Sequence, residues 1–192
     1  LISVLGILAF WSPAYAWAQL DPERLMRAAE LNELEFIRNA VERGADPDTA
    51  DPNGNTLLAA AAAEGWVDLA KYLVSKRARV NHRNASGDTP LMVASYHGKL
   101  EMVRQLIALG ASVNLSGWSP MHYCAWQGHI DICNLLMDLG AHVNALSPNG
   151  STPLMMAVRE GKMESVRLLL MRRASVNIKN QNGDTALSWA LR

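Results

Sequence analysis

Two patterns of apolar and polar positions divide the chain. Residues 1–20 carry no charge: an apolar run from Ile2 to Trp11 leads into Ser12 and Pro13, then into the small-x-small triplets Ala14-Tyr15-Ala16 and Ala16-Trp17-Ala18. Charge begins at Asp21. From there on, apolar residues recur at helical spacing, as in Leu100-Glu101-Met102-Val103-Arg104-Gln105-Leu106-Ile107, which predicts amphipathic helices with one face turned to a core.

These helical stretches are punctuated at regular intervals. Gly54, Gly87, Gly117, Gly150 and Gly183 are separated by 33, 30, 33 and 33 residues, and eleven residues after each of the first four stand Gly65, Gly98, Gly128 and Gly161. Each unit closes on Val-Asn: Val80-Asn81, Val113-Asn114, Val143-Asn144 and Val176-Asn177. The first glycine suits a tight turn, and Thr89-Pro90 or Thr152-Pro153 after it supplies a capping hydroxyl and a first-turn proline, so a helix starts there. The second ends that helix, and Gly110 and Gly140 end the next one. Arg77 and Arg173 stand at the latter position in two units, where a left-handed conformation would cost about 1–2 kcal/mol, so strain or a different cap is expected.

Turn, short helix, tight loop, second helix and a closing Val-Asn over 33 residues resembles the ankyrin repeat. Gly87-Asp88-Thr89-Pro90-Leu91 and Gly150-Ser151-Thr152-Pro153-Leu154 match its Thr-Pro-Leu signature, and Ser119-Pro120-Met121-His122 keeps its His. Leu57 and Ala186 replace the usual Pro, and Ala59, Met92, Met155 and Ser188 replace the His, so those turns are expected to be looser. The resemblance covers residues 21–192 and implies an all-α solenoid of stacked antiparallel helix pairs joined by β-hairpin loops. Its register gives an N-terminal capping repeat at 21–53, with Asn32 at the inter-helix turn, then repeats at 54–86, 87–116, 117–149 and 150–182 and a partial repeat at 183–192. Glu23, Arg24, Arg27 and Glu30 charge one side of the first helix, as the open end of a solenoid requires. The partial repeat leaves apolar surface open, which implies a continuation or some other cover. Between Asn114 and Gly117 there are two residues where the other units have five, so the hairpin of repeat 87–116 is short.

Small residues before a cut fit a signal peptidase, and cleavage is expected after Ala18, leaving 1–18 as the remnant of a signal peptide. An uncharged run of about 20 residues could just span a bilayer, but Ser12 and Pro13 cut the strongly apolar part to roughly 11, a signal-peptide length. Export is therefore expected, with the periplasm the best-fitting compartment, secretion in the same class, and a membrane-anchored chain facing outside as the alternative. Lys plus Arg equals Asp plus Glu at 18 each, which offers no basic surface to a phosphate backbone and excludes nucleic acid as a partner.

Because equivalent positions stack, each column of the repeat becomes a stripe on the solid. The resemblance implies partner contact through the hairpin tips and the exposed end of the first helix, one, nine and ten residues after each turn glycine. The tip column reads Asn55, Asp88, Trp118, Ser151, Asp184; the ninth, Ala63, Tyr96, Trp126, Arg159; the tenth, Glu64, His97, Gln127, Glu160. Trp, Tyr and Arg are the residue types enriched in binding hot spots, so Tyr96, His97, Trp118, Trp126, Gln127 and Arg159 are the candidate partner-binding residues. The competing reading folds Trp118 over the short hairpin and packs Trp126 on the next helix. Trp66 and Trp189 read as structural, Met92, Met121, Met155, Met156 and Met163 as core, and Lys71, Arg104 and Arg167 as a solvated outer face.

His122, Cys124, His129 and Cys133 lie within twelve residues, which raises the question of zinc. Positions two apart on a helix point about 200° from one another, so His122 and Cys124 cannot converge on one ion, and no metal or cofactor is expected. Both cysteines fall in columns otherwise filled by Ala and Val. Two buried thiols are the default; a disulfide is allowed in an oxidising space if the α-carbons come within about 7 Å. No paired acids, no nucleophile with a His partner and no phosphate-cradling loop stand out, so no catalytic residue is assigned. The chain reads as a monomeric protein-binding module acting in an exported compartment. The alternatives are a membrane-anchored structural scaffold and a regulatory repeat domain of a larger enzyme.

Overall fold

A computed structural model describes residues 21–191. The signal segment assigned to 1–18 and the final Arg192 lie outside the described residues. Among the described residues eleven helices follow one another: α1 Pro22–Glu30, α2 Leu34–Glu42, α3 Leu57–Glu64, α4 Val67–Ser75, α5 Pro90–Tyr96, α6 Leu100–Ala108, α7 Pro120–Gln127, α8 Ile130–Asp138, α9 Pro153–Arg159, α10 Met163–Met171 and α11 Ala186–Ala190. The odd-numbered helices form an inner row, each packed on the next, and the even-numbered ones an outer row. Among the described residues no helix is long and apolar enough to cross a membrane.

The inner row closes up because its central column is small. Ala28, Ala61, Ala94, Cys124 and Ala157 are fully buried, and Leu25, Leu58, Leu91, Met121 and Leu154 three residues before them fill the space between neighbours. Met92, Met155 and Met156 are buried as expected, but Met163 is 59% exposed, because it opens α10 on its solvent side. Cys124 of α7 and Cys133 of α8 are joined in a disulfide with a Cα separation of 5.6 Å, so the default of two thiols gives way: the helix pair packs within bridging distance.

The helix starts follow from their caps. Thr56, Thr89, Thr152 and Thr185 each accept, through the hydroxyl, the backbone N–H three residues on, at 3.3, 3.4, 3.3 and 3.2 Å. The turns that lack proline, before Leu57 and Ala186, keep this cap and are not loosened in it. At the helix ends, Asn32, Arg77 and Arg173 take left-handed φ values of 55°, 73° and 62°. Strain is therefore accepted rather than avoided. Ala78 and Ala174, next in the chain, donate their N–H groups back to Leu73 and Leu169, which satisfies helix-end carbonyls and offsets part of the cost.

The loops between repeats are tight turns rather than strand-bearing hairpins; among the described residues the one bridge of β type pairs Ala50 with Thr56. Their hydrogen bonds go across repeats instead. Side-chain oxygens of Asp48, Asn81, Asn114 and Asn144 accept the N–H of Arg79, Ser112, His142 and Ser175 in the following repeat, at 2.8, 2.8, 2.9 and 2.8 Å. Asn81 and Asn114 also donate to the carbonyls of Gly110 and Gly140. The Asn of the first three Val-Asn pairs is thus a staple between neighbours.

Candidate partner-binding face

Four of the loop tips share one construction. The N–H of Asp51, Asn84, Ser147 and Asn180 donates to the carbonyl four residues on, that of Asn55, Asp88, Ser151 and Asp184. Asp51, Asn84 and Asn180 also accept, through a side-chain oxygen, the N–H groups two and four residues later. In the short loop the residue three before the turn glycine is Asn114, whose side chain is engaged with Gly140 and His142 of the next repeat instead of capping its own tip. There the Arg83 guanidinium spans the step, donating to the carbonyls of Gly87 at 3.0 Å and Ser116 at 3.1 Å.

Trp118 follows this notch and leans on its own repeat, edge-on to the His122 ring at 5.3 Å between centroids. It joins a cluster: Trp118 lies 6.1 Å from Tyr123 and 6.4 Å from Trp126, Tyr123 and Trp126 are parallel at 6.3 Å, and Tyr96 meets both edge-on at 5.9 and 6.1 Å. The Arg159 guanidinium sits 5.0 Å from the Trp126 ring and 5.8 Å from that of Trp189, and pairs with Glu160 at 2.9 Å. Between α5 and α7 the rings border an open cavity of about 420 Å³.

Tyr96, His97, Trp118 and Trp126 all line that cavity, and Arg159 covers Trp126 from the next repeat. Gln127, half-buried at the end of α7, is not part of the lining. The two tryptophans pack on neighbours and face open space at once, so packing and exposure are not alternatives here. Trp66, half-buried, donates its indole N–H to the carbonyl of Glu30, and Trp189 packs against the core. Tyr123 escaped the sequence reading because its column, with Ala60, Val93 and Met156, reads as interior. Its hydroxyl donates to Asp88 Oδ1 at 2.5 Å; burial, with that bond and the Asp88 charge, pushes its pKa up. The signal available was a phenol in a column of apolar side chains.

Behind the rings, His122 is fully buried. Its Nδ1 accepts from the Ser119 N–H at 3.2 Å and the Ser119 hydroxyl at 2.9 Å, while Nε2–H donates to the Ser151 carbonyl of the next repeat at 3.0 Å. Burial lowers its pKa to about 4, so the ring is neutral near pH 7. His129 bonds the Tyr96 carbonyl at 2.9 Å and lays its ring on Gly98. With the cysteines bonded to each other, the residues that raised the zinc question all have other partners, and among the described residues no group of three or more His, Cys, Asp or Glu could hold a metal ion.

A family model described as ankyrin repeats (3 copies) matches residues 25–116, 77–147 and 121–192. Among similar proteins, human Rabankyrin-5 is 36% identical over 92 residues, covering 47% of this chain and 8% of that protein. Palmitoyltransferase ZDHHC13 of Pongo abelii is 43% identical over 137 residues, 69% of this chain and 22% of the relative. An ankyrin repeat-containing protein of Schizosaccharomyces pombe is 36% identical over 80 residues, 42% of this chain and 37% of its own length. The chain thus spans well under half the length of each.

Proposed function

The chain belongs to the ankyrin-repeat family, a non-catalytic interaction fold, and on that premise we propose that it binds another protein on the concave face around Tyr96, Trp118 and Trp126, in an exported compartment. The observation that carries this reading is the ring cluster itself. Hot-spot residue types from two successive repeats, Tyr96, Trp118 and Trp126, line one solvent-reaching cavity, and Arg159 of the next repeat covers Trp126, where small polar side chains would suffice to keep the fold. A groove of this kind can bury on the order of 800 Å² per partner, the size of an ordinary protein interface. The uncharged segment before Asp21 and the bonded cysteines support the exported compartment. The module acts as a monomer, without cofactor.

Crosslinking capture from that compartment, comparing the protein with its Tyr96→Ala, Trp118→Ala, Trp126→Ala variant, tests the reading, with circular dichroism showing that both are folded. Loss of a captured protein in the folded variant is expected; unchanged capture refutes the site. Sequencing the mature N-terminus tests export, a start near Gln19 being expected and a start at or before Leu1 favouring a membrane anchor. The small share of each relative that the chain matches favours a second reading, a regulatory repeat segment within a larger protein. The full open reading frame decides between them.

A further inference from the structure

The concave face is not electrically even. The cavity at the ring cluster adjoins another of about 590 Å³ that runs back towards α1, with Val93 and His97 lining both. Four carboxylates line the pair, those of Glu30, Asp51, Glu64 and Asp88, and no Lys or Arg lines either cavity. Among the described residues none of the four is in an ion pair. Since Lys plus Arg equals Asp plus Glu over the whole chain, this acidic excess is local to the two cavities.

The ring cluster shows what it accepts. One face of Trp126 already holds the Arg159 guanidinium at 5.0 Å, the geometry in which a cation is drawn to the electron-rich face of a ring. On the other side of the cluster Asp88, half-buried, is held in place by the Tyr123 hydroxyl and borders the cavity with Tyr96 and Trp118. A carboxylate beside aromatic rings at the edge of low-dielectric surface attracts a cation more strongly than one in open water. An acidic segment would be repelled, and an apolar one would leave the carboxylates desolvated without a counter-charge.

Resting on the protein-binding reading above, we propose that the partner is an extended, basic segment of protein chain. One Lys or Arg enters the cavity against Asp88 and the rings of Tyr96, Trp118 and Trp126, and further cations lie along Glu64, Asp51 and Glu30. Arg159, beyond Trp126, ends the stretch that favours cations and so sets the direction in which the segment lies.

The test is a titration of the full chain, followed by tryptophan fluorescence, with 12-residue synthetic peptides on one Gly/Ser/Leu scaffold carrying four Lys, four norleucine or four Glu. The Lys peptide is expected to bind best and to weaken as salt rises. Asp88→Asn, which keeps an acceptor for the Tyr123 hydroxyl, is expected to weaken it about tenfold, the loss of one charge-assisted contact. Glu64→Gln, at an exposed position, is expected to weaken it less and keeps the test available if Asp88→Asn does not fold. Equal binding of the norleucine or Glu peptide, absence of binding by the Lys peptide, or unchanged affinity in both variants overturns the inference. Crosslinking capture separates the two readings: capture lost in the triple aromatic variant but unchanged in Asp88→Asn and Glu64→Gln leaves a protein-binding face and removes its cationic partner. Capture that survives the triple variant removes both.

Discussion

Acidification should destabilise this protein through one ring. His122 has a pKa of about 4 in the fold, because burial opposes its charge, against about 6.5 in an unfolded chain. The folded state therefore binds fewer protons than the unfolded state between these values. Stability is complete above pH 6.5 and is lost as pH falls towards 4. Working the two proton-binding curves from pH 7 down to about 4.5 gives a loss of about 2–3 kcal/mol, set against the 5–15 kcal/mol typical of a domain. Protonating Nδ1 would also turn the acceptor for the Ser119 N–H into a donor, breaking the bonds that start α7 beside Trp118. The assay is urea unfolding followed by circular dichroism at intervals from pH 7 to 4.5, on the wild type and on His122→Met, which takes the residue that Met92 and Met155 supply in the same column. The variant should start lower in stability, having lost three hydrogen bonds, but show a flatter pH dependence. Equal slopes would refute the reasoning and place the acid sensitivity in other groups.

Three further outcomes follow from the packing. Replacing the disulfide by the residues of its own columns, Cys124→Ala with Cys133→Val, should remove about 2–3 kcal/mol, the chain-entropy value for a loop of nine-residue separation, and a reductant should lower the thermal midpoint of the wild type but not of the variant. Gly98→Ala should cost about 2 kcal/mol or more, since a Cβ there would lie 2.6 Å from His129 Cε1 at a φ of +69°, whereas Gly161→Ala, at +64° with open space, should cost only about 1 kcal/mol; equal losses in urea unfolding would count against the ring contact. Ser165→Ala should leave stability unchanged or raise it by up to about 1 kcal/mol, because the buried Ser165 hydroxyl has no hydrogen-bond partner, and a clear loss would show that the hydroxyl is satisfied.

The repeat frame was legible because turn glycines, capping threonines and closing Val-Asn pairs act locally, within a few residues of themselves. What they do over longer distances was not. Asn81 and Asn114 marked the period in the sequence, but their bonds reach 31 and 28 residues ahead to a loop whose position depends on the whole stack. The bridge between Cys124 and Cys133 depends on how closely α7 and α8 pack, which their apolar columns permit but do not settle. Columns located Tyr96, Trp118, Trp126 and Arg159 on one side, since stacking turns register into space. They hid Tyr123, whose ring passes from an interior column to the surface and whose hydroxyl meets Asp88 from the preceding repeat. Met163 was misplaced for the converse reason, an apolar side chain at a helix start that packing leaves outside.

Departures from the repeat gather in one unit. In the four intact tips the residue after each turn glycine is polar and its carbonyl closes the turn. With three residues fewer before Gly117, Asn114 falls at the capping position while its side chain staples the next repeat, so the main chain at Trp118 is not tied into such a turn and its side chain can lean inwards. A tryptophan at a tip would expose a large apolar surface unless something beneath accepted it. Here the acceptors are His122 and Tyr123, where the other repeats hold Ala, Met, Val or Ser, or Trp189 at the open end. The short loop, the tip indole, the buried imidazole and the phenol are thus mutually dependent: each is unfavourable alone, and together they form one packed surface. Uniform repeats would hold the solenoid together equally well. What the irregular one adds is a rigid aromatic face beside Asp88, on rings that packing has already ordered, so that a partner docking there meets side chains with little conformational entropy left to lose.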